Sequence, residues 1–96
     1  MLSLQDAIAI VQRELENLQA PEGDAFVLDL EHTIERPFGW VFFWGSALYA
    51  RTGEIRHALA GNSPLIVNRE TGEVVSTGTA FPVEYYLAQY EASLNG

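Results

Sequence analysis

The feature that most constrains this chain is an uninterrupted apolar run of five residues, Trp40-Val41-Phe42-Phe43-Trp44. In an extended strand successive side chains project to opposite faces, so this run makes both faces apolar. It predicts either a central strand covered on both sides or a strand with one aromatic face exposed for binding. Trp40 and Trp44 share a face with Phe42. Core packing is one interpretation of the two tryptophans. A role as interface anchors is the other, because tryptophan is enriched at binding hot spots.

Two segments have helical periodicity. Ser3 and Asp6 have the spacing of a capping box, and apolar residues recur at helical intervals from Leu4 to Leu18. Near the C-terminus, Pro82 suits the first turn of a helix, and apolar residues again follow at helical spacing. Tyr85 lies off this second apolar stripe, so we expect it to be exposed.

Strand periodicity begins at Phe26. The alternation predicts that Phe26, Leu28, Leu30 and Ile34 share an inner face and that Asp29, Glu31, Thr33 and Glu35 share an outer face. Further along, the loop Glu70-Thr71-Gly72 separates two short apolar runs, which predicts a hairpin. The stretch 55–61 is ambiguous by the same criteria.

These elements predict an α+β fold. Residues 1–96 are expected to form a single domain with an N-terminal helix, an antiparallel sheet of about four strands and a C-terminal helix. We expect both helices to form a single layer on one face of the sheet, because that arrangement buries the apolar stripes.

The charge balance restricts the partners of this chain. It has 13 acidic residues against five arginines, no lysine, and a formal net charge of −8. Such a chain repels nucleic acids and anionic lipid, so neither is an expected partner. A basic protein is the complementary partner, although the acidity could also serve solubility alone.

The sequence also indicates the compartment. There is no cysteine, the N-terminus has no basic segment typical of a secretory signal, and no apolar run approaches the roughly 20 residues that cross a bilayer. We therefore expect a soluble, cytoplasmic protein.

No residue pattern predicts catalysis. His32 and His57 lack the spacing of metal ligands; the alternation places His32 at the margin of the core, whereas His57 is expected to be solvated. Alternate carboxylates on a strand lie about 7 Å apart and do not converge on a cation without further ligands. We expect no enzymatic activity, no metal and no cofactor, and the row of Asp29, Glu31 and Glu35 fits a patch for a basic partner better.

Several segments together resemble a known family. They are Phe38-Gly39-Trp40-Val41-Phe42-Phe43-Trp44, the stretch from Gly61 to Arg69, Thr71-Gly72, Thr77-Gly78-Thr79, and Pro82-Val83-Glu84-Tyr85-Tyr86-Leu87. In order and spacing they resemble the immunity protein 35 family of bacterial polymorphic toxin systems. The resemblance covers almost the whole chain. It implies a cytoplasmic α+β protein that binds a cognate toxin and blocks it non-covalently.

Composition is compatible with that role. An acidic inhibitor would be steered into the basic cleft of a toxin that acts on a polyanion. The predicted toxin-binding residues are Asp29, Glu31 and Glu35, with Glu54, and Trp40 and Trp44 as candidate anchors.

Two other functions fit the sequence. A chaperone-like or general interaction protein would use a large exposed apolar patch around Trp40 and Trp44. A small-molecule binding module would need a deep pocket with convergent polar groups, such as His32 near a carboxylate. The chain could be a monomer or a homodimer, because an open sheet edge can pair with a second copy or with a toxin.

Overall fold

The computed structural model describes residues 1–18, 23, 25–47 and 63–95, which form two helices and four strands. Helix α1 spans Leu4–Asn17 and helix α2 spans Val83–Asn95. Strands β1 (Phe26–Arg36), β2 (Gly39–Ser46), β3 (Leu65–Asn68) and β4 (Val74–Ser76) pair in that order, each antiparallel to the next. The predicted α+β fold is confirmed. The ambiguous stretch 55–61 lies outside the described residues.

Helix α1 begins as its sequence predicts. The Asp6 backbone N–H donates to Ser3 Oγ at 3.1 Å, and the Ser3 N–H donates to Asp6 Oδ2 at 3.0 Å, which completes a capping box. The apolar stripe then buries Ala7, Val11 and Leu15 against β2 and β3. Full burial of a side chain the size of valine or leucine contributes roughly 1.5–3 kcal/mol, so packing holds α1 more strongly than its cap does.

The two helices cover opposite faces of the sheet, so the prediction of a single helical layer is wrong. Helix α1 packs on a cluster that includes Trp40, Phe42 and Val67, whereas Leu87 of α2 packs with Val41 and Ile66. These strand residues alternate along β2 and β3, and alternate side chains project to opposite faces. A central strand that is apolar on both faces must be covered on both. Helix α1 covers one face and α2 covers the other.

Strand β1 contains a large bulge. Asp29 lies opposite Phe43 and Ile34 lies opposite Val41, so β1 advances five residues while β2 advances two. Strand β1 therefore has three more residues than β2 in this interval. Because side chains alternate between faces and three is an odd number, the side chains after the bulge project to the opposite face. Leu28 therefore packs on the α1 side and Ile34 on the α2 side. The prediction that the apolar residues of β1 share one inner face is therefore wrong, and so is the prediction that its polar residues share one outer face.

The β3–β4 hairpin forms where the sequence predicts it and is attached to α2. Asn68 is buried, and its Oδ1 accepts hydrogen bonds from the N–H groups of Glu70 (2.8 Å) and Thr71 (3.1 Å). Its Nδ2 donates to the Tyr90 hydroxyl of α2 at 3.0 Å. At the start of β2, Gly39 lies close to β3, since it has a φ of 152° and a Cβ there would overlap the Val67 carbonyl oxygen.

Candidate protein-binding surfaces

The tryptophans nominated from the sequence are part of the α1-side core. Trp40 is only 4% exposed, and the Arg69 guanidinium lies 4.9 Å from its ring centroid. Trp44 is half-buried, stacks edge-on with Phe26 at 4.9 Å, and donates from Nε1 to the Ser63 carbonyl at 2.6 Å. The sequence left two alternatives open for Trp40, a core residue or an exposed anchor. Its packing fits a core residue.

The predicted acidic row is divided by the bulge. By register Asp29 lies opposite Phe43 and Glu35 lies opposite Trp40, so the two carboxylates project to different faces. Glu35 also accepts a hydrogen bond at 3.1 Å from Arg69, which offsets its charge. Glu31 lies within the bulge and is exposed. The structure therefore leaves Asp29 and Glu31 together near the bulge and separates Glu35 from them, while Glu54 lies outside the described residues.

His32 lies in the bulge rather than at the core margin. Its side chain is 69% exposed, and its Nδ1 lies 2.6 Å from Asp29 Oδ2. The sequence-based position was wrong because the bulge interrupts the alternation on which it depended. Within residues 1–18, 23, 25–47 and 63–95, no group of three or more histidine, aspartate or glutamate side chains could hold a metal ion. His57 lies outside these ranges.

An aromatic surface stands at the start of α2. Phe81 is 55% exposed and Tyr85 is 44% exposed, and their ring centroids are 4.5 Å apart. The Tyr86 ring meets Tyr85 edge-on at 5.4 Å. We call Phe81, Tyr85 and Tyr86 the α2 aromatic cluster. The exposure expected for Tyr85 is confirmed, but Phe81 was missed because it lies in a loop, where helical periodicity gives no signal.

Hydrogen bonds fix the position of this cluster. The Tyr86 hydroxyl accepts from the N–H groups of Ala80 and Phe81, each at 3.2 Å, so it holds the loop that precedes the helix. Gln89 Nε2 donates to the Tyr85 hydroxyl at 3.0 Å from one turn further along. The exposed rings are thus ordered before any partner arrives, which lowers the entropy cost of using them in an interface.

The described residues also form grooves beside the surfaces described above. One of about 340 Å³ runs between β4 and α2, beside the aromatic cluster. It is lined by Ile66, Val75, Ser76, Thr77, Tyr86, Gln89 and Tyr90. Another, of about 610 Å³, lies between α1 and β1 and includes Leu15, Leu18, Phe26 and Leu30 with Glu16. Both are open clefts, a form that suits a protein segment better than an enclosed small molecule. The groove beside α2 is mainly apolar, whereas the groove beside α1 also has polar side chains, Gln12 and Glu16, in its lining.

Two comparisons with known proteins identify the family. The family model described as immunity protein 35 matches residues 5–93, which include all four strands and nearly all of both helices of the described structure. The chain belongs to the immunity protein 35 family. This immunity protein 35 member is also similar to a protein of Escherichia coli (strain K12) described as uncharacterized protein YrhB. The two share 34% identity over 91 residues, which cover 95% of this chain and 90% of that protein. No solved structure matches the chain.

Membership of the immunity protein 35 family indicates an immunity function and confirms the family resemblance found in the sequence. Proteins of an immunity family are generally non-catalytic, and membership of such a family implies a toxin as the binding partner. Among the residues described, no helix is long and apolar enough to cross a membrane.

Proposed function

We propose that this protein binds one cognate bacterial toxin and neutralises it through a non-covalent complex. The observation that carries the proposal is the match of the immunity protein 35 family model to residues 5–93, because it spans nearly the whole described fold rather than one motif. The described residues also offer ordered surfaces for a partner and no metal-binding cluster. Burial of Trp40 supports this proposal over a general interaction protein built on an exposed tryptophan patch.

Charge supports a basic toxin. The net charge of −8 makes the whole chain attractive to a cationic protein, and long-range attraction of this kind raises association rates. Of the predicted acidic residues, Asp29 and Glu31 are exposed near the bulge, whereas Glu35 is offset by Arg69. We assign Asp29 and Glu31 the role of steering the toxin during the encounter. Glu35 and Glu54 remain candidates for lesser contributions.

A pull-down tests the function directly. Tagged protein is recovered from its own cells, the retained proteins are identified by mass spectrometry, and each candidate is expressed with and without this protein. We expect one dominant stoichiometric partner whose toxicity disappears when this protein is co-expressed. A broad set of weakly held clients would instead support the chaperone-like alternative, and an inert dominant partner would contradict the immunity proposal.

A further inference from the structure

We infer that the α2 aromatic cluster and the adjoining groove between β4 and α2 are the toxin-docking surface, and that they receive an apolar segment of the toxin flanked by basic residues. This inference rests on the proposed function and deepens it, because it names the surface and the chemistry of the segment that the surface takes. Phe81 and Tyr85 would anchor the segment, and Ile66 and Val75 would form the floor of the groove beside it.

The first support is that the exposed rings do little for the fold. Phe81 and Tyr85 belong to neither of the two buried clusters, and α2 is held instead by Leu87 and by the hydrogen bond between Tyr90 and Asn68. Apolar area left in water is unfavourable, so a pair of large rings in contact at the surface calls for an explanation other than packing. Tyrosine is enriched at interface hot spots, and an ordered exposed tyrosine suits that role.

The second support is continuity between the cluster and the groove. Tyr86 belongs to both, since its ring contacts Tyr85 and also lines the groove. Strand β4 borders the groove and, among the strands that the structure describes, lies at one edge of the sheet beside β3, in the order β1-β2-β3-β4. An extended segment could therefore place apolar side chains in the groove while its backbone lies near an open strand edge.

The charge of this surface indicates which kind of segment it binds. Residues 77–95 carry two carboxylates, Glu84 and Glu91, and no basic side chain. Arg36 reaches Glu84 from β1, with Nη2 donating to both carboxylate oxygens at 2.7 and 2.9 Å. Because Arg36 already pairs with Glu84, the exposed Glu91 and the net charge of −8 are what a toxin segment with flanking arginine or lysine residues would complement. A second copy of this chain is disfavoured, because two chains of charge −8 repel each other and the basic side chain at this face, Arg36, is already paired with Glu84.

A matched pair of double variants tests this inference against the toxin identified by pull-down. Phe81→Ser/Tyr85→Ser removes the exposed rings, and Val27→Ser/Leu30→Ser removes a pair of similar exposure, 41% and 50%, from the β1 edge, where the larger groove lies. We expect the first variant to weaken binding by about 100-fold, mainly through faster dissociation, since hot-spot truncations act in this range. We expect the second to change the affinity by less than about threefold.

Three outcomes would overturn the inference. The first is an unchanged affinity of Phe81→Ser/Tyr85→Ser with a retained melting temperature. The second is a large loss confined to Val27→Ser/Leu30→Ser, which would place docking on the other groove. The third is a homodimer of the wild-type protein in analytical ultracentrifugation, together with a Phe81→Ser/Tyr85→Ser variant that is monomeric but binds the toxin with unchanged affinity. Because the wild-type complex is measured first, a failure of toxin binding as such is distinguished from a failure of this surface.

Discussion

The two helices are nearly equal in length, 14 residues in α1 and 13 in α2, but they are used differently. Helix α1 buries Ala7, Val11 and Leu15, whereas in α2 only Leu87 is buried among the described side chains. Helix α2 is held in addition by polar contacts, from Asn68 to Tyr90 and from Arg36 to Glu84. Helix α1 thus contributes its apolar residues to the core, and α2 retains aromatic area at the surface.

If the α2 aromatic cluster docks the toxin as proposed, this difference separates stability from binding in the molecule. Where a helix buries its apolar stripe, substitutions there act first on folding. Where large rings remain exposed and outside both clusters, substitutions there act first on association. The following predictions test that separation, in order of decreasing effect.

Truncation of the α1 stripe should produce the largest loss of stability. We expect Leu15→Ala to lower the free energy of unfolding by about 3 kcal/mol, because it opens a cavity in the packed α1-side cluster. Leu94→Ala in α2 is the matched control, since Leu94 is exposed, and it should cost less than about 0.5 kcal/mol. Urea denaturation monitored by tryptophan fluorescence measures both. Equal losses in the two variants would contradict the division between the helices.

Charge reversal near the bulge should affect the rate of toxin association rather than the lifetime of the complex. We expect Asp29→Lys/Glu31→Lys to lower the association rate constant about tenfold at low salt and to weaken its salt dependence, with little change in dissociation. Stopped-flow mixing over a range of ionic strength measures this.

Glu70→Lys/Glu73→Lys is the control for charge reversal, because it changes the net charge equally at the β3–β4 hairpin, where both carboxylates are exposed. If this control slows association as much, the whole net charge rather than the bulge steers the toxin, and the role assigned to Asp29 and Glu31 is wrong.

The smallest expected effect concerns the start of α1. Ser3→Ala should cost about 1 kcal/mol at neutral pH, because it removes the acceptor for the Asp6 N–H. Hydrogen bonds with the Ser3 backbone and, to a smaller extent, with the Ser3 side chain lower the pKa of the Asp6 carboxyl below its ordinary value of 3.8. A lowered folded pKa stabilises the fold above the unfolded pKa, and this contribution is lost as pH falls through the folded value.

The stability difference between wild type and Asp6→Asn should therefore be largest above about pH 4 and should diminish in stronger acid. Thermal unfolding between pH 2 and pH 6 measures this difference. A difference that grows on acidification would contradict the assigned direction of the pKa shift.

Local signals in the sequence predicted much of the fold. The capping box at Ser3 and the spacing of the α1 stripe act within a few residues, and both appear in the structure. The hairpin followed from its glycine-containing loop in the same way. The apolar runs of β2 and β3 make both faces of the sheet apolar, so this pattern favours cover on both faces over the single helical layer predicted.

The bulge and the aromatic cluster were beyond pattern reasoning for physical reasons. Apolar and polar residues continue to alternate from Leu28 to Glu31, and no glycine or proline lies between Asp29 and Ile34 to mark extra residues. The register depends on pairing with β2, which is a tertiary property. Phe81 precedes its helix, and its exposure depends on how Tyr86 holds the loop. For Trp40 and Trp44 the sequence left both core packing and an anchor role open, whereas the exposure of Phe81 and Tyr85 is the reason we propose them as anchors.

The most direct test of the proposed docking surface is hydrogen–deuterium exchange of this protein, free and bound to its toxin. We expect toxin binding to slow exchange at amides of residues 77–87 and along β4, while the buried strands β2 and β3 change little. Slowed exchange confined to β1, with residues 77–87 unaffected, would contradict the assignment of docking to the α2 aromatic cluster.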